Sequence, residues 1–337
     1  MQTYRAVQVR QAGTLEIVQR PIPEPGPGEV RVRVEACGVC HTDALTIENK
    51  SRGLTYPRVP GHEIAGRIDA LGPGVSGWQV GQRVGVGFLG GHCGHCGACR
   101  RGHFVDCTNQ RISGITHDGG YAEMVVAHVQ GLVALPDGLD AREAAPLLCA
   151  GVTTYNALRN SPARGGDLVA IQGIGGLGHL AIQYAKHMGF RVAAIARGAE
   201  KAALATRLGA THYIDSVEKD PTKALQELGG ARVILATAAD SKSMGPLVGG
   251  LTARGRMIIV GGSGEPVPVL ASQLIFGGRS VEGALTGSAV DAEDTLAFSV
   301  HANVRAMIET VPLEKAAEAY AHMMNNKARF RMVMTMT

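Results

Sequence analysis

The sequence predicts an α/β protein in two parts, a β-rich, loop-heavy region to about residue 150 and a doubly wound parallel sheet after it. Two observations carry this. At 337 residues the chain is long for one core and comfortable for two. The apolar pattern also changes texture at about Gly151, from short alternating runs broken by Gly and Pro to apolar runs alternating with helical periods.

In the first part, strand-like runs fall at Ala6 to Val9, Val30 to Val34, Val84 to Val86 and Tyr121 to Ala127, with a turn-rich break at Pro23-Glu24-Pro25-Gly26-Pro27-Gly28. In the second, a strand at Leu168 to Gln172 precedes a helix at Leu177 to Met188. A strand at Phe190 to Ala196 and a helix at Glu200 to Leu208 follow. Further strands at Thr211 to Ile214, Arg232 to Thr237, Arg256 to Val260 and Ser280 to Leu285 bring the sheet to six. After Thr286 the tail reads as helical and closes on a strand-like Phe330 to Met334.

With 45% apolar and 18% charged residues the composition is that of an ordinary globular protein, which excludes disordered and fibrous classes. A net charge of +4, from 33 basic and 29 acidic residues, is too mild to point to nucleic acid. The longest apolar runs, such as Ala122 to Val133, carry polar residues and fall short of the roughly 20 residues a membrane span needs. The start of the chain enters a strand without an apolar leader, so a cytoplasmic location is expected. Seven cysteines at this length suit a reducing compartment better than a disulfide scaffold.

Cys93, Cys96, Cys99 and Cys107 lie within one short loop. Four thiolates so close repel one another unless a cation neutralises them. Zn²⁺ prefers tetrahedral sulfur, and four cysteines leave no position open, so this site is expected to be structural. An iron–sulfur cluster or free thiols are the alternatives, and His92, His95 and His103 read as loop histidines. A dispersed set comprises Cys40 in Gly38-Val39-Cys40-His41-Thr42-Asp43, His62 in Gly61-His62-Glu63, and Cys149 in Leu148-Cys149-Ala150-Gly151. Three such ligands suit a zinc that keeps its fourth position for water or substrate. Taken singly, Cys149 reads as a small hydrophobe and His62 as a core histidine. Finally, Gly173-Ile174-Gly175-Gly176-Leu177-Gly178 follows a strand and opens a helix, the setting in which glycines admit a dinucleotide pyrophosphate to a helix N-terminus.

In this order the signals resemble the medium-chain, zinc-containing alcohol dehydrogenases of the yeast and bacterial ethanol-type branch. The likeness extends through Gly114-Ile115-Thr116-His117-Asp118-Gly119 and Leu148-Cys149-Ala150-Gly151-Val152-Thr153. It implies a GroES-like catalytic domain over 1–150, a Rossmann domain over 151–286 and a segment over 287–337 completing the catalytic domain. Substrate and nicotinamide would meet between the domains, in a dimer or tetramer paired through the strand near Ser280 to Leu285. By the same resemblance Cys40, His62 and Cys149 hold a catalytic zinc, and Cys93, Cys96, Cys99 and Cys107 a structural one. Thr42 accepts the alcohol proton, Asp43 orients His62, and Glu63 approaches the metal during ligand exchange. His41 and Arg331 face cofactor phosphates, with a solvated charge as the alternative for Arg331, and Thr153 packs beside the nicotinamide. Gly173, Gly175, Gly176, Leu177 and Gly178 form the cofactor loop, and Phe88 and Leu89 a substrate wall for an alcohol or aldehyde. Cysteine at position 149, where polyol-type relatives carry glutamate, favours a simple alcohol.

Two positions depart from the pattern. Leu45 stands where yeast-like relatives have a relay histidine. The strand that usually ends in an acidic residue ends here in Ala196-Arg197, which removes a charge that would repel a 2′-phosphate and offers one that would bind it. NADP(H) is therefore expected, with NAD(H) as the alternative if Arg197 is a plain surface charge. A nucleic-acid-binding zinc finger and a zinc-free quinone reductase-like relative are the competing classes. The glycine loop opposes the first and the dispersed ligands oppose the second. Cys37 is left without a role.

Overall fold

The computed structural model describes residues 2–51, 53–262 and 264–336. It divides into two compact units, one formed by the chain up to Val152 together with Gly287 onward, the other by Thr153–Thr286.

The first unit is built on a seven-stranded sheet. Its path runs Ile308–Pro312, Arg331–Thr335, Glu29–Gly38, Ile64–Leu71, Arg83–Val86 and Leu132–Ala134, with Met124–His128 also pairing on Glu29–Gly38. Only Ile308–Pro312 and Arg331–Thr335 run parallel; the other pairings are antiparallel. Alternation explains why Glu29–Gly38 lies central. Val30, Val32 and Val34 point into the core, while Arg31 and Arg33 face outward and share the carboxylate of Asp69. Each fully buried valine or isoleucine here contributes roughly 1.5–3 kcal/mol, and Ile64, Ile68, Val84 and Tyr121 join the same cluster. An antiparallel hairpin, Thr3–Gln11 with Thr14–Pro21, turns at Gly13.

The second unit is a parallel six-stranded sheet. Its strands are β1 (Leu168–Gln172), β2 (Arg191–Ala196), β3 (His212–Asp215), β4 (Ala231–Ala236), β5 (Leu251–Ile259) and β6 (Ser280–Gly283), in spatial order 3-2-1-4-5-6. That order places a switch point between β1 and β4, where open α/β sheets bind ligands beyond their carboxyl ends. β1 is buried along its whole length, as expected of a strand covered on both faces. Helix α1 (Gly178–His187) begins directly after the glycine loop. All six strands expected in this unit are present. β6 is shorter than the apolar run suggested, since Leu285 lies beyond it and is exposed.

Candidate active site and cofactor loop

In the first unit, Cys40 follows the central strand and caps the single turn His41–Asp43, where its own N–H donates to Asp43 Oδ2 at 2.9 Å. His62 stands after Gly61, whose φ of +103° favours glycine and whose Cβ, if present, would lie 2.5 Å from the Tyr121 ring. Cys149 sits in a π-helical segment, Leu147–Gly151, just after Pro146. A proline lacks the N–H that would continue an α-helical ladder, and such wide turns recur at functional sites.

These elements bring Cys40, His62, Glu63 and Cys149 together, with one potential ligand atom from each lying within 4.8 Å of the others. The Cys40 and Cys149 sulfurs are 3.9 Å apart, close to the roughly 3.8 Å expected of two sulfurs bound tetrahedrally at 2.3 Å to one zinc. His62 donates from Nδ1 to Asp43 Oδ1 at 2.9 Å, while its Nε2 is buried with no hydrogen-bond partner among the described residues. An orphaned imidazole nitrogen beside two sulfurs is a donor set that fits zinc. Electrostatics agree. The hydrogen bond from Cys149 pulls the Cys40 thiol well below its ordinary pKa, and the same contact pushes Cys149 up. Both become thiolates together only with a cation between them.

Arg331 is not at a solvated strand end. Its guanidinium is buried and paired with Glu63, whose other carboxylate oxygen has no partner among the described residues. Burial raises the Glu63 carboxyl to about 7 even though Arg331 opposes it. Thr42 is half-buried and His41 exposed. Phe88 meets His62 edge-on at 5.6 Å between ring centroids. Leu89 is buried in the short strand Leu89–Gly91, opposite Ile112. Cys37 is fully buried, and burial pushes its thiol up, the environment of an inert packing residue.

The Cys93, Cys96, Cys99 and Cys107 sulfurs also lie within 4.8 Å of one another. Backbone N–H groups of Cys96, Cys99 and Cys93 donate to the sulfurs of Cys93, Cys96 and Cys107 respectively, which favours thiolates. The N–H of Cys99 leads in drawing Cys96 down to about 5, whereas desolvation raises Cys99 to about 12. His92 stacks on Phe104 and approaches Cys99, and His95 bonds the Cys93 carbonyl.

In the second unit, the three glycines of the loop meet three different demands. Gly173 has φ +93°; Gly175 has open space where a side chain would project, as an approaching pyrophosphate requires; and a Cβ on Gly178 would lie 1.8 Å from the Gly173 carbonyl oxygen. Gly176 and Leu177 complete the turn into α1. β2 ends at Ala196, and Arg197 beyond it is exposed. Asp215 is engaged by the N–H groups of Gly198 and Val217. Thr153 is buried, with Oγ1 3.4 Å from the Leu285 carbonyl. Lys201, not singled out from sequence, donates to the Ile174 carbonyl of the loop at 2.9 Å.

Comparison with known proteins agrees with this arrangement. The family model for the alcohol dehydrogenase GroES-like domain matches residues 26–137, and that for zinc-binding dehydrogenases matches residues 176–301. Alcohol dehydrogenase notN of Aspergillus sp. (strain MF297-2) is 43% identical over 336 residues, covering 99% of this chain and 98% of that protein. Among solved structures, CAD from Helicobacter pylori complexed with NADP(H) is 27% identical with a TM-score of 0.87, covering 99% of this chain and 98% of that one. An NAD-dependent alcohol dehydrogenase is 29% identical with a TM-score of 0.90, covering 99% and 100%. The chain belongs to the medium-chain, zinc-containing alcohol dehydrogenases, with a GroES-like domain and a Rossmann domain. It is an oxidoreductase of the alcohol dehydrogenase type, acting on small molecules. Among the described residues no helix is long and apolar enough to cross a membrane.

Proposed function

We propose that this protein is a zinc-dependent alcohol dehydrogenase and aldehyde reductase, moving a hydride reversibly between a primary or secondary alcohol and a nicotinamide dinucleotide, with NADP(H) preferred. The observation that carries the reading is the convergence of Cys40, His62 and Cys149 around a buried imidazole nitrogen that has no hydrogen-bond partner among the described residues. These three residues would hold the catalytic zinc, and Cys93, Cys96, Cys99 and Cys107 a second, structural one. When bound, the zinc supplies Lewis acidity toward the alcohol oxygen, and the dinucleotide supplies the hydride acceptor.

The chain's own residues do the rest. Thr42 accepts the alcohol proton while passing its own hydroxyl proton on to the cofactor ribose hydroxyl and water, since Leu45 cannot carry it, and Asp43 holds the ring of His62. Glu63, with one oxygen unpartnered among the described residues and within ligand reach, would be placed to enter when the fourth ligand exchanges. Phe88 walls the substrate side of His62, and Leu89 supports that wall from the core. Gly173, Gly175, Gly176, Leu177 and Gly178 receive the pyrophosphate, His41 and Arg331 serve cofactor phosphates, and Thr153 packs at the nicotinamide. Thiols kept unoxidised for two metal sites suit the cytoplasm.

NADP(H) preference rests on Ala196, which sets no carboxylate at the end of β2, and on the exposed guanidinium of Arg197. NAD(H) is the second reading. It is favoured by Glu200, whose carboxylate lies over Gly198 within 2.4 Å of the position a Cβ would take and would repel a phosphate there. The chain is further read as a homo-oligomer, dimer or tetramer. Among the described residues β6 ends the sheet with one edge unpaired, and Leu270, Ile275 and Phe276 stand exposed, Phe276 at 90%.

The deciding experiment is steady-state reduction of benzaldehyde and butanal with NADPH and with NADH, on the parent and on Cys40→Ser and Arg197→Ala, with zinc counted in each. Activity and one zinc lost together in Cys40→Ser, and NADPH preference lost in Arg197→Ala, support the reading. Activity independent of Cys40 overturns the catalytic zinc, and an NADH-preferring parent overturns the cofactor assignment.

A further inference from the structure

We propose that Tyr121 is a positioning residue for the catalytic metal site, its hydroxyl fixing the Asp43 carboxylate that in turn sets the ring of His62. The inference rests on the reading of Cys40, His62 and Cys149 as zinc ligands and goes one layer beyond it.

The geometry is a relay of hydrogen bonds. Tyr121 donates from its hydroxyl to Asp43 Oδ2 at 2.8 Å, Cys40 donates its N–H to the same oxygen at 2.9 Å, and Oδ1 of Asp43 lies 2.9 Å from His62 Nδ1. Tyr121 and Asp43 are buried, so neither oxygen of the carboxylate can turn to water instead. A carboxylate with both oxygens engaged has one orientation available, and the imidazole it holds inherits that orientation.

Tyr121 is itself held against the turn that carries His62. Its N–H donates to the Pro60 carbonyl at 3.0 Å, and the N–H of Gly120 to the Gly61 carbonyl at 3.0 Å. On the other side Val7 N–H donates to the Tyr121 carbonyl at 2.7 Å. The ring occupies space that only a glycine at position 61 leaves open. Loop and metal turn are thus a single hydrogen-bonded assembly, with the hydroxyl as its contact to Asp43.

Hydroxyl donation has a chemical consequence beyond orientation. By sharing the charge on Asp43, it moderates the pull of the carboxylate on the His62 Nδ1 proton, and so the electron density His62 offers a metal through Nε2. Asp43 without Tyr121 is freer to turn and pulls harder.

The test is Tyr121→Phe in the zinc-loaded holoenzyme and with Co²⁺ placed in the catalytic site. Expected are catalytic-site metal affinity weakened by roughly tenfold, the low end of what losing an outer partner costs, shifted visible bands of the Co²⁺ form, and unchanged metal at the four-cysteine site. In an Asp43→Asn background the same substitution should add nothing. Uniform 3-fluorotyrosine, a stronger donor of nearly the same shape, gives a readout that does not depend on the variant folding, and should shift the Co²⁺ bands of the parent but not of Asp43→Asn. Unchanged affinity and bands in Tyr121→Phe, or band shifts that persist in Asp43→Asn, overturn the proposal. A parent that binds no metal through Cys40 fails the underlying reading instead.

Discussion

Arg331 and Glu63 form a buried ion pair although 268 positions separate them in the chain, with exposures of 5% and 0%. The carboxylate lies so close over Gly38 that a Cβ there would be 1.8 Å from its Oε2. Arg331→Leu would leave a carboxylate buried without its partner, a loss that costs about 3–5 kcal/mol. Chemical denaturation near pH 9, where the Glu63 carboxyl of the parent is ionised, should show that loss, and near pH 5, where Glu63 holds a proton in parent and variant alike, a smaller one. The double variant with Glu63→Gln should recover most of it. A cost below about 1 kcal/mol would show that Glu63 finds another partner.

His117 gives the pH dependence a definite direction. Desolvation leads in depressing it to about 4, and Arg111 and Arg58 add to the effect. The folded state therefore refuses a proton that the unfolded chain accepts as pH falls below the ordinary histidine value of about 6.5. Its contribution is full above that value and is lost as the pH falls towards 4. His117→Gln should flatten this limb of the curve, seen as a smaller difference in urea midpoint between pH 7 and pH 4.5 than in the parent. An unchanged difference would assign the limb to other groups.

If the end of β2 sets the proposed preference for NADP(H), a single substitution there should reverse it. Ala196→Asp should raise KM for NADPH at least tenfold through repulsion of the 2′-phosphate, and lower KM for NADH through bonds to the ribose. A variant with an unchanged KM ratio would place adenosine recognition elsewhere, with Lys201 the next residue to examine because it touches the loop.

Leu45, half-buried one turn beyond Thr42, cannot carry a proton. Leu45→His should raise kcat for alcohol oxidation several-fold at pH 7 and little at pH 9, where solvent base is plentiful. Equal effects at both pH values would show that proton release does not limit the reaction.

The second unit was legible because its signals are local. A fully buried strand, a glycine turn and a helix occur consecutively between Leu168 and His187, so period and composition suffice. The four-cysteine lobe is legible for the same reason. The first unit was less so. The hairpin Thr3–Gln11 with Thr14–Pro21 appeared only as a short run at Ala6 to Val9, and the strand Ile64–Leu71 not at all, because its Gly66 and Arg67 break the alternation. Arg331 and Tyr121 illustrate the general difficulty. Each acts on a residue far away in sequence, through a contact that nothing in its neighbourhood encodes. An aromatic before a strand reads as core, and Tyr121 is core in every respect except its hydroxyl.

The strand Arg331–Thr335 lies between Glu29–Gly38 and Ile308–Pro312, and Val39 donates its N–H to Met332. During synthesis, the segment leading to Cys40 leaves the ribosome long before the neighbour that braces it, whereas Leu168–Gly283 holds all six strands of its sheet in one stretch. Until residues 331–335 emerge, the sheet of the first unit lacks the strand that pairs beside the segment leading to Cys40. The four cysteines, by contrast, all lie within residues 93–107, so if they bind a metal as proposed, that site is complete in sequence long before Arg331 reaches Glu63.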